Sequence, residues 1–306
     1  MPIGLTYLGL RCVLEHLDAV KRIHIASRSA VLQKSEKSIP IRLNYLYISN
    51  GVTCLDYCSM SFRDDKMELE FDDDRRKIPW TVLHSVPVPQ NLDTQTVGDK
   101  INQYYMGGRS NVYVKRLKSN YFEDFLPIID PISFPLKYLK TGTAGLHTYD
   151  HPVFRSAESL TFGLFEENSE AEMICLHKLP CKTILFEYNL EWINIANMIR
   201  YWMRNPKEIG TKYTFVEYDH KLVYSELMTI KREFEEIRHD LEGTRVNGCN
   251  YPSFLIPLNP TSKLLVYAID SDGPYHNFII KVVPESETDF TGIEGEMAQL
   301  SLDILD

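Results

Sequence analysis

No run in this chain approaches eighteen consecutive apolar residues, and the opening MPIGLTYLGLRC has neither a basic start nor a long apolar core. A membrane-spanning helix needs about 20 mostly apolar residues, and a secretory leader needs a basic start followed by an apolar run. The sequence therefore predicts an intracellular protein, cytoplasmic or nuclear, with no membrane partner. Cysteine is scarce: Cys12, Cys54, Cys58, Cys175, Cys181 and Cys249 are the six in 306 residues. That is too few for a disulfide scaffold, so reduced thiols are expected. Clustered basic charge is lacking too. The formal charge is −9, and Pro284–Asp306 holds seven acidic residues with no Lys or Arg, which leaves −2 for the remainder. A nucleic-acid surface needs a clustered basic face, so nucleic acid is not expected as a partner.

Motifs of catalysis are also missing. There is no GxSxG elbow, no phosphate-binding P-loop and no dinucleotide fingerprint. Cys54 and Cys58 lie on a strand pattern, where an offset of four places them on one face about 13 Å apart. That is too far to share a zinc ion unless a turn intervenes. Cys175 and Cys181 with His177 between them come closer to a ligand spacing, but no fourth ligand is evident. His147 and His151 flank Asp150 in a segment punctuated by Gly142, Gly145 and Pro152, which reads as a loop. Gly107-Gly108-Arg109-Ser110 could cradle an anion, but it follows a helix, and the favourable dipole end precedes one; a helix stop is the better reading. The acidic pairs at Asp64-Asp65 and Asp72–Asp74 read as solvated turns. Tyr104-Tyr105 and Trp192/Trp202 read as core. No metal, cofactor or catalytic residue is expected, and an enzyme of unrecognised class is a third-ranked reading.

What is present is an α+β pattern. Residues 5–34 have apolar positions at three- and four-residue spacing and read as two short helices joined at Leu17-Asp18-Ala19, with Asp18 capping the second. Pro40 breaks the pattern. From Ile41 the period becomes two: IRLNYLYIS, YCSMSF and MELEF read as strands, and RDDK and DDDRRK as turns. Residues 78–96, with three prolines, read as a loop. VGDKINQYYM reads as a helix, NVYVKRL as a strand, and 127–135 as a proline-marked linker or edge. PLKYL, SLTFG and TILFE place Leu136, Leu160 and Ile184 at 24-residue intervals. That period fits degenerate leucine-rich-type repeats, and an open solenoid and an ordinary mixed α/β region both stay open. LEWINIANMIRYWMRN reads as a helix stopped by Pro206 and KYTFVEYD as a strand. YSELMTIKREFEEIRHDLEG reads as a helix ending at Gly243. SFLIPL, KLLVYAID and HNFIIKVV read as strands. The organisation expected is a helical segment at 1–40, a strand-rich region with one helix at 41–130, a mixed region at 131–283, and a disordered acidic tail at 284–306.

The segment from Leu5 to Arg28 resembles an F-box. That motif runs Leu-Pro, six residues, Ile-Leu, two residues, Leu-Asp, and then a second helix. Val13-Leu14, Leu17-Asp18 and Ile23/Ile25 fall at matching places; Thr6 stands where the motif has proline, and the later tryptophan is missing. The wider chain resembles an uncharacterised nematode family with F-box-like N-termini and F-box-associated-type C-terminal regions. CVLEHLDAVKRIHIASR, EKSIPIRLNYL, YYMGGRSNVYVKRL, WINIANMIRYWMRNPKEIGTKYTF and SFLIPLNPTSKLLVYAI carry that likeness. The resemblance implies that Leu5, Val13, Leu14 and Leu17, with Asp18 capping, bind the adaptor subunit of a cullin–RING ubiquitin ligase, while the rest presents a protein substrate. The alternative is a self-contained interaction or scaffold domain whose N-terminal helices only cap its sheet. EKSIPIRL, running from helix into strand with little spacer, favours that alternative. Exposure of Val13, Leu14 and Leu17 separates the two readings.

Overall fold

The structure is a computed structural model and describes residues 7–26, 29–49, 51–63, 66–73, 78–88, 93–107, 109, 112–121, 136–142, 148–163, 170–187, 190, 193–246, 249–270 and 274–287. The chain is mixed α/β and divides into two compact units, Met1–Gly142 and Thr143–Asp306.

The first unit opens with three helices, α1 (Tyr7–His16), α2 (Ala19–Ala26) and α3 (Ala30–Lys37). The strands β1 (Ile41–Ser49), β2 (Val52–Leu55), β3 (Cys58–Arg63), β4 (Lys66–Asp73) and β5 (Ile78–Pro87) then run as an antiparallel meander. Helix α4 (Thr94–Tyr105) crosses back to β6 (Val112–Ser119), which pairs parallel with β1, and β7 (Tyr138–Gly142) pairs parallel with β6. Met60 pairs with Thr53 and with Leu69, and Leu55 with Cys58, so these residues share one sheet face. Helices α2 and α4 lie along that face: Val20, Ile23 and Tyr105 line one cleft with Leu55, Cys58, Met60 and Leu69. A buried hydrogen bond from Thr53 Oγ1 to Asn102 Oδ1 (2.6 Å) ties α4 to β2. Gly98 sits so close to the β1–β2 turn that a Cβ there would meet Gly51 N at 3.1 Å.

The second unit is built from βα steps. After α5 (Pro152–Ser156) come β8 (Ser159–Gly163), α6 (Glu170–His177), β9 (Thr183–Glu187), α7 (Ile195–Arg204), β10 (Lys212–Glu217) and α8 (His220–Glu233). The three strands are parallel neighbours. The meander β11 (His239–Val246), β12 (Cys249–Asn259), β13 (Ser262–Asp270) and β14 (His276–Pro284) joins them through an antiparallel β14–β10 pair. Leu160 pairs with Ile184 across β8 and β9, so the 24-residue period in the sequence is the register of these two strands. One rung further, Phe162, Phe186, Phe215 and Phe278 stand side by side on four adjacent strands, all fully buried. Their ring centroids are 6.0, 4.8 and 5.7 Å apart. Buried aromatic contacts of this spacing contribute about 0.5–1.5 kcal/mol each beyond area burial. Trp202 of α7 packs edge-on to Tyr213 at 4.8 Å, which fastens the helix to the sheet.

Three readings of the sequence change. The N-terminal pattern makes three helices rather than two, since α3 continues to Lys37. Residues 78–87, expected as loop, form β5. This strand ends the sheet order and, among the described residues, pairs with β4 alone, so the missing N–H of Pro87 is tolerated, and Pro79 falls at a register irregularity. The helix expected to reach Gly243 ends at Glu233. Arg238 Nη1 donates to Lys231 O (2.7 Å) at the helix end while its Nε donates to Asp240 Oδ1 (2.8 Å). The chain turns there, and 239–246 pair with β12 instead. Pairing with a ready neighbour outweighs a helical periodicity that is worth only tenths of a kcal/mol per residue. The expected turns at 64–65 and 74–77, the linker at 127–135, Trp192 and the tail beyond Glu287 lie outside the described residues.

Candidate docking surface on the N-terminal helices

The link between α1 and α2 is set by Asp18. Its Oδ1 accepts the Lys21 backbone N–H (2.9 Å), so it caps α2 as its position predicts. The same oxygen accepts the Tyr57 hydroxyl (2.6 Å) from the β2–β3 turn, and Oδ2 pairs with Lys21 Nζ (2.9 Å). Partial burial raises the Asp18 pKa; hydrogen bonds from Tyr57 and Lys21 outweigh it, and the net shift is downward.

The expected docking residues divide by direction. Val13 is 46% exposed and Leu14 1%. Leu17, one residue past the end of α1, is half-buried. Leu14 therefore fastens α1 to its own unit, and Val13 faces outward. Ile25 on α2 and Val31 on α3 are also exposed, which puts an outward aliphatic side chain on each of the three helices. Leu5 lies outside the described residues.

A buried ionic cluster fixes these helices. Glu36 of α3 accepts Arg22 Nη2 (2.9 Å) and Arg109 Nη1 (2.8 Å) on Oε1, and Arg109 Nη2 pairs with Oε2. All three side chains are 5% exposed or less. Two guanidinium groups on one carboxylate leave an excess positive charge, and backbone carbonyls absorb it. Arg22 also donates to Ile39 O and Pro40 O, Arg109 Nε to Tyr105 O, and Lys37 Nζ to Gly107 O. These carbonyls sit at or just beyond the C-terminal ends of α3 and α4, where the helix dipole is negative. Burial, and then the neighbouring Arg109, lower the Lys37 pKa. The glycine-rich stretch after α4 is thus a helix stop: Gly107 N donates to Asn102 O and Gln103 O. Nothing in its local spacing announced the Arg109–Glu36 pair, which joins residues 73 apart.

The remaining candidates do not converge. Cys54 and Cys58 lie on β2 and β3 across a turn at Asp56, whose φ is 51°; Leu55 pairs with Cys58 and Cys54 with Ser59, so the two sulfurs point to opposite faces. Burial pushes the Cys58 thiol up to about 12 and raises Cys54. His177 is buried among Tyr201, Trp202 and Tyr213, and burial followed by the Lys207 charge lowers it to about 3. His151 caps α5, and His147 lies outside the described residues. Among the described residues no group of three or more His, Cys, Asp or Glu could hold a metal ion. Two clefts at the N-terminal helices, one lined by Glu36 and Arg109 and one by Val20, Ile23 and Met60, each have a cavity volume of about 10 Å³, room for about one water molecule and far below ordinary ligand pockets. No helix of the described residues is long and apolar enough to cross a membrane.

Strands β6 and β7 of the first unit and β8, β9 and β10 of the second share one further property. A family model, a domain of unknown function (DUF3557), matches residues 105–218. The match starts at the last residue of α4 and ends one residue past β10, so it holds those five strands with α5, α6 and α7, and it includes Arg109. Helices α1 to α3 lie before it. No curated protein and no solved structure matches the chain.

Proposed function

We propose that this chain is a non-enzymatic protein-interaction subunit of F-box type, binding the adaptor of a cullin–RING ubiquitin ligase through α1 and presenting a protein target through its second unit. The observation that carries this reading is the outward Val13 above an inward Leu14 on α1. An amphipathic helix that keeps aliphatic side chains in water on its second face is suited to docking against partner helices. Leu14 and Asp18 then position the helix, and Val13 and Leu17 make the contact. Small clefts and a broad helical surface favour protein over metabolite as the ligand.

The test is a pull-down of the purified full-length chain with the purified adaptor. Binding by the natural chain, lost in Val13→Asp with an unchanged circular dichroism spectrum, supports the proposal. An adaptor that ignores the natural chain, or binds Val13→Asp equally well, refutes it. A self-contained scaffold, with helices that only cap the sheet, is the second reading. It is favoured by the buried Arg22–Glu36–Arg109 cluster and the Asp18–Tyr57 bond, which bind the three helices to their own unit.

A further inference from the structure

The second unit separates its charge along the strand direction. It holds 14 Lys and Arg against 26 Asp and Glu, a formal charge of −12, whereas the first unit has 19 against 16. The three parallel strands end level: Gly163 pairs with Glu187, and Glu187 with Val216, one residue before Glu217. At those carboxyl ends stand Glu187, Glu217 and Asp219, with no Lys or Arg among the described residues of the segments that leave them. The segments that return to the amino ends, 178–182 and 204–212, carry Lys178, Lys182, Arg204, Lys207 and Lys212 against one acid, Glu208. In open sheets with parallel strands, ligands bind outside the carboxyl ends.

That end also bears aromatic side chains in solvent. Tyr218, 52% exposed, follows β10, and Tyr275 precedes β14. Val216 pairs with Asn277 and Glu217 with His276, so Tyr218 and Tyr275 extend the same ladder by one step, on the face of Val216 and Asn277. Their ring centroids are 4.4 Å apart and their hydroxyl oxygens 2.9 Å apart. Asn277, next on that face, is 2% exposed, and its Oδ1 has no hydrogen-bond partner among the described residues. A buried amide oxygen without a donor is unusual in a folded protein and points to a donor supplied from elsewhere.

We propose that the Tyr218–Tyr275 end of the second unit docks a basic segment of a protein partner, an arginine or lysine side chain lying against the two rings with Asn277 Oδ1 as its acceptor. Cations are attracted to tyrosine faces, and the carboxylates of Glu187, Glu217 and Asp219 at this end, against the lysines of the opposite one, steer a basic chain here. The inference rests on the reading that the second unit binds the target, and it names the chemistry of that target.

The experiment uses the full chain and a fluorescein-labelled heptapeptide of alternating Gly and Arg, with a Gly/Glu peptide as control, followed by fluorescence anisotropy at about 150 mM salt, where long-range charge effects are screened. The Arg peptide is expected to bind saturably and at least tenfold more tightly than the Glu peptide. Tyr218→Ala combined with Tyr275→Ala should weaken it at least tenfold. Tyr218→Lys, at a side chain half in solvent, should do the same if the double variant fails to fold. Tyr121→Ala, at an exposed tyrosine of the first unit, should change nothing. No saturable binding, equal binding of the Glu peptide, or binding indifferent to Tyr218 overturns the proposal. The adaptor pull-down with Tyr218→Lys is expected to match the natural chain, so failure here stays distinct from failure of the α1 reading.

Discussion

Glu36→Gln is the sharpest perturbation of the first unit. The carboxylate takes Arg22 on one oxygen and Arg109 on both, with all three side chains out of solvent. A glutamine offers one acceptor oxygen, and its NH2 group aims donors at guanidinium donors. Removing the shared partner of buried charges costs about 3–5 kcal/mol, chiefly because charge is left uncompensated. Arg109→Met is a different loss. Glu36 keeps Arg22, no lone carboxylate is stranded, and the methionine fills much of the space, so the cost is that of charged hydrogen bonds, about 1.5–3 kcal/mol. The order, with Glu36→Gln the worse, is the diagnostic. The assay is native-state hydrogen exchange on the full chain, which reads the α2 and α3 amides without requiring both units to unfold together. Glu36→Gln should raise exchange there by roughly a hundredfold or more, since each 1.4 kcal/mol is tenfold. A change worth under about 1 kcal/mol, or an Arg109→Met that costs more than Glu36→Gln, would refute the reasoning.

Two further outcomes follow from burial. Leu14→Ala should cost about 2–5 kcal/mol and Val13→Ala stay within about 0.5 kcal/mol, read from urea unfolding; equal costs would mean that the two faces of α1 are misassigned. Glu226 on α8 is pushed up to about 7, first by burial and then by Glu233. Its folded pKa lies above the ordinary 4.5, so the folded chain holds the extra proton and stability falls as pH rises from about 4.5 to 7. Glu226→Gln should therefore be the more stable protein at pH 8, by about 1–2 kcal/mol after allowance for partial solvent screening, with the gap closing near pH 4.5. A gap that does not change with pH contradicts the assignment.

Periodicity revealed the elements that local physics controls. The alternation of IRLNYLYIS became β1, the stripe of IANMIRYWMR became α7, and Asp18 capped the helix it precedes. The 24-residue spacing proved informative because Leu160 and Ile184 occupy equivalent rungs of adjacent parallel strands, and Phe162 and Phe186 repeat it. It fails at the next step, where Ile184 meets Tyr213 after 29 residues, because the α7 return is longer. The elements misread were those decided by neighbours. Residues 239–243 read as the end of a helix, yet β12 offers 239–246 a ladder, and the prolines of β5 are harmless only because the strand is at an edge.

The candidate surface was legible only as far as a stripe is. Val13, Leu14 and Leu17 belong to one apolar pattern, and a pattern gives the period of a helix without saying which part of its circumference the fold covers. That is settled by groups far away in sequence. Arg109, in the segment after α4, holds Glu36; Tyr57, in a β-turn, holds Asp18 and with it the angle between α1 and α2. Once these fix the hairpin, Leu14 points inward and Val13 outward. The Tyr218–Tyr275 pair has the same character: its members are 57 residues apart and meet because β10 and β14 pair antiparallel. Single residues announce chemistry in a sequence, but a docking face is a property of strand register and helix placement. In this chain a face's location therefore had to come from the fold.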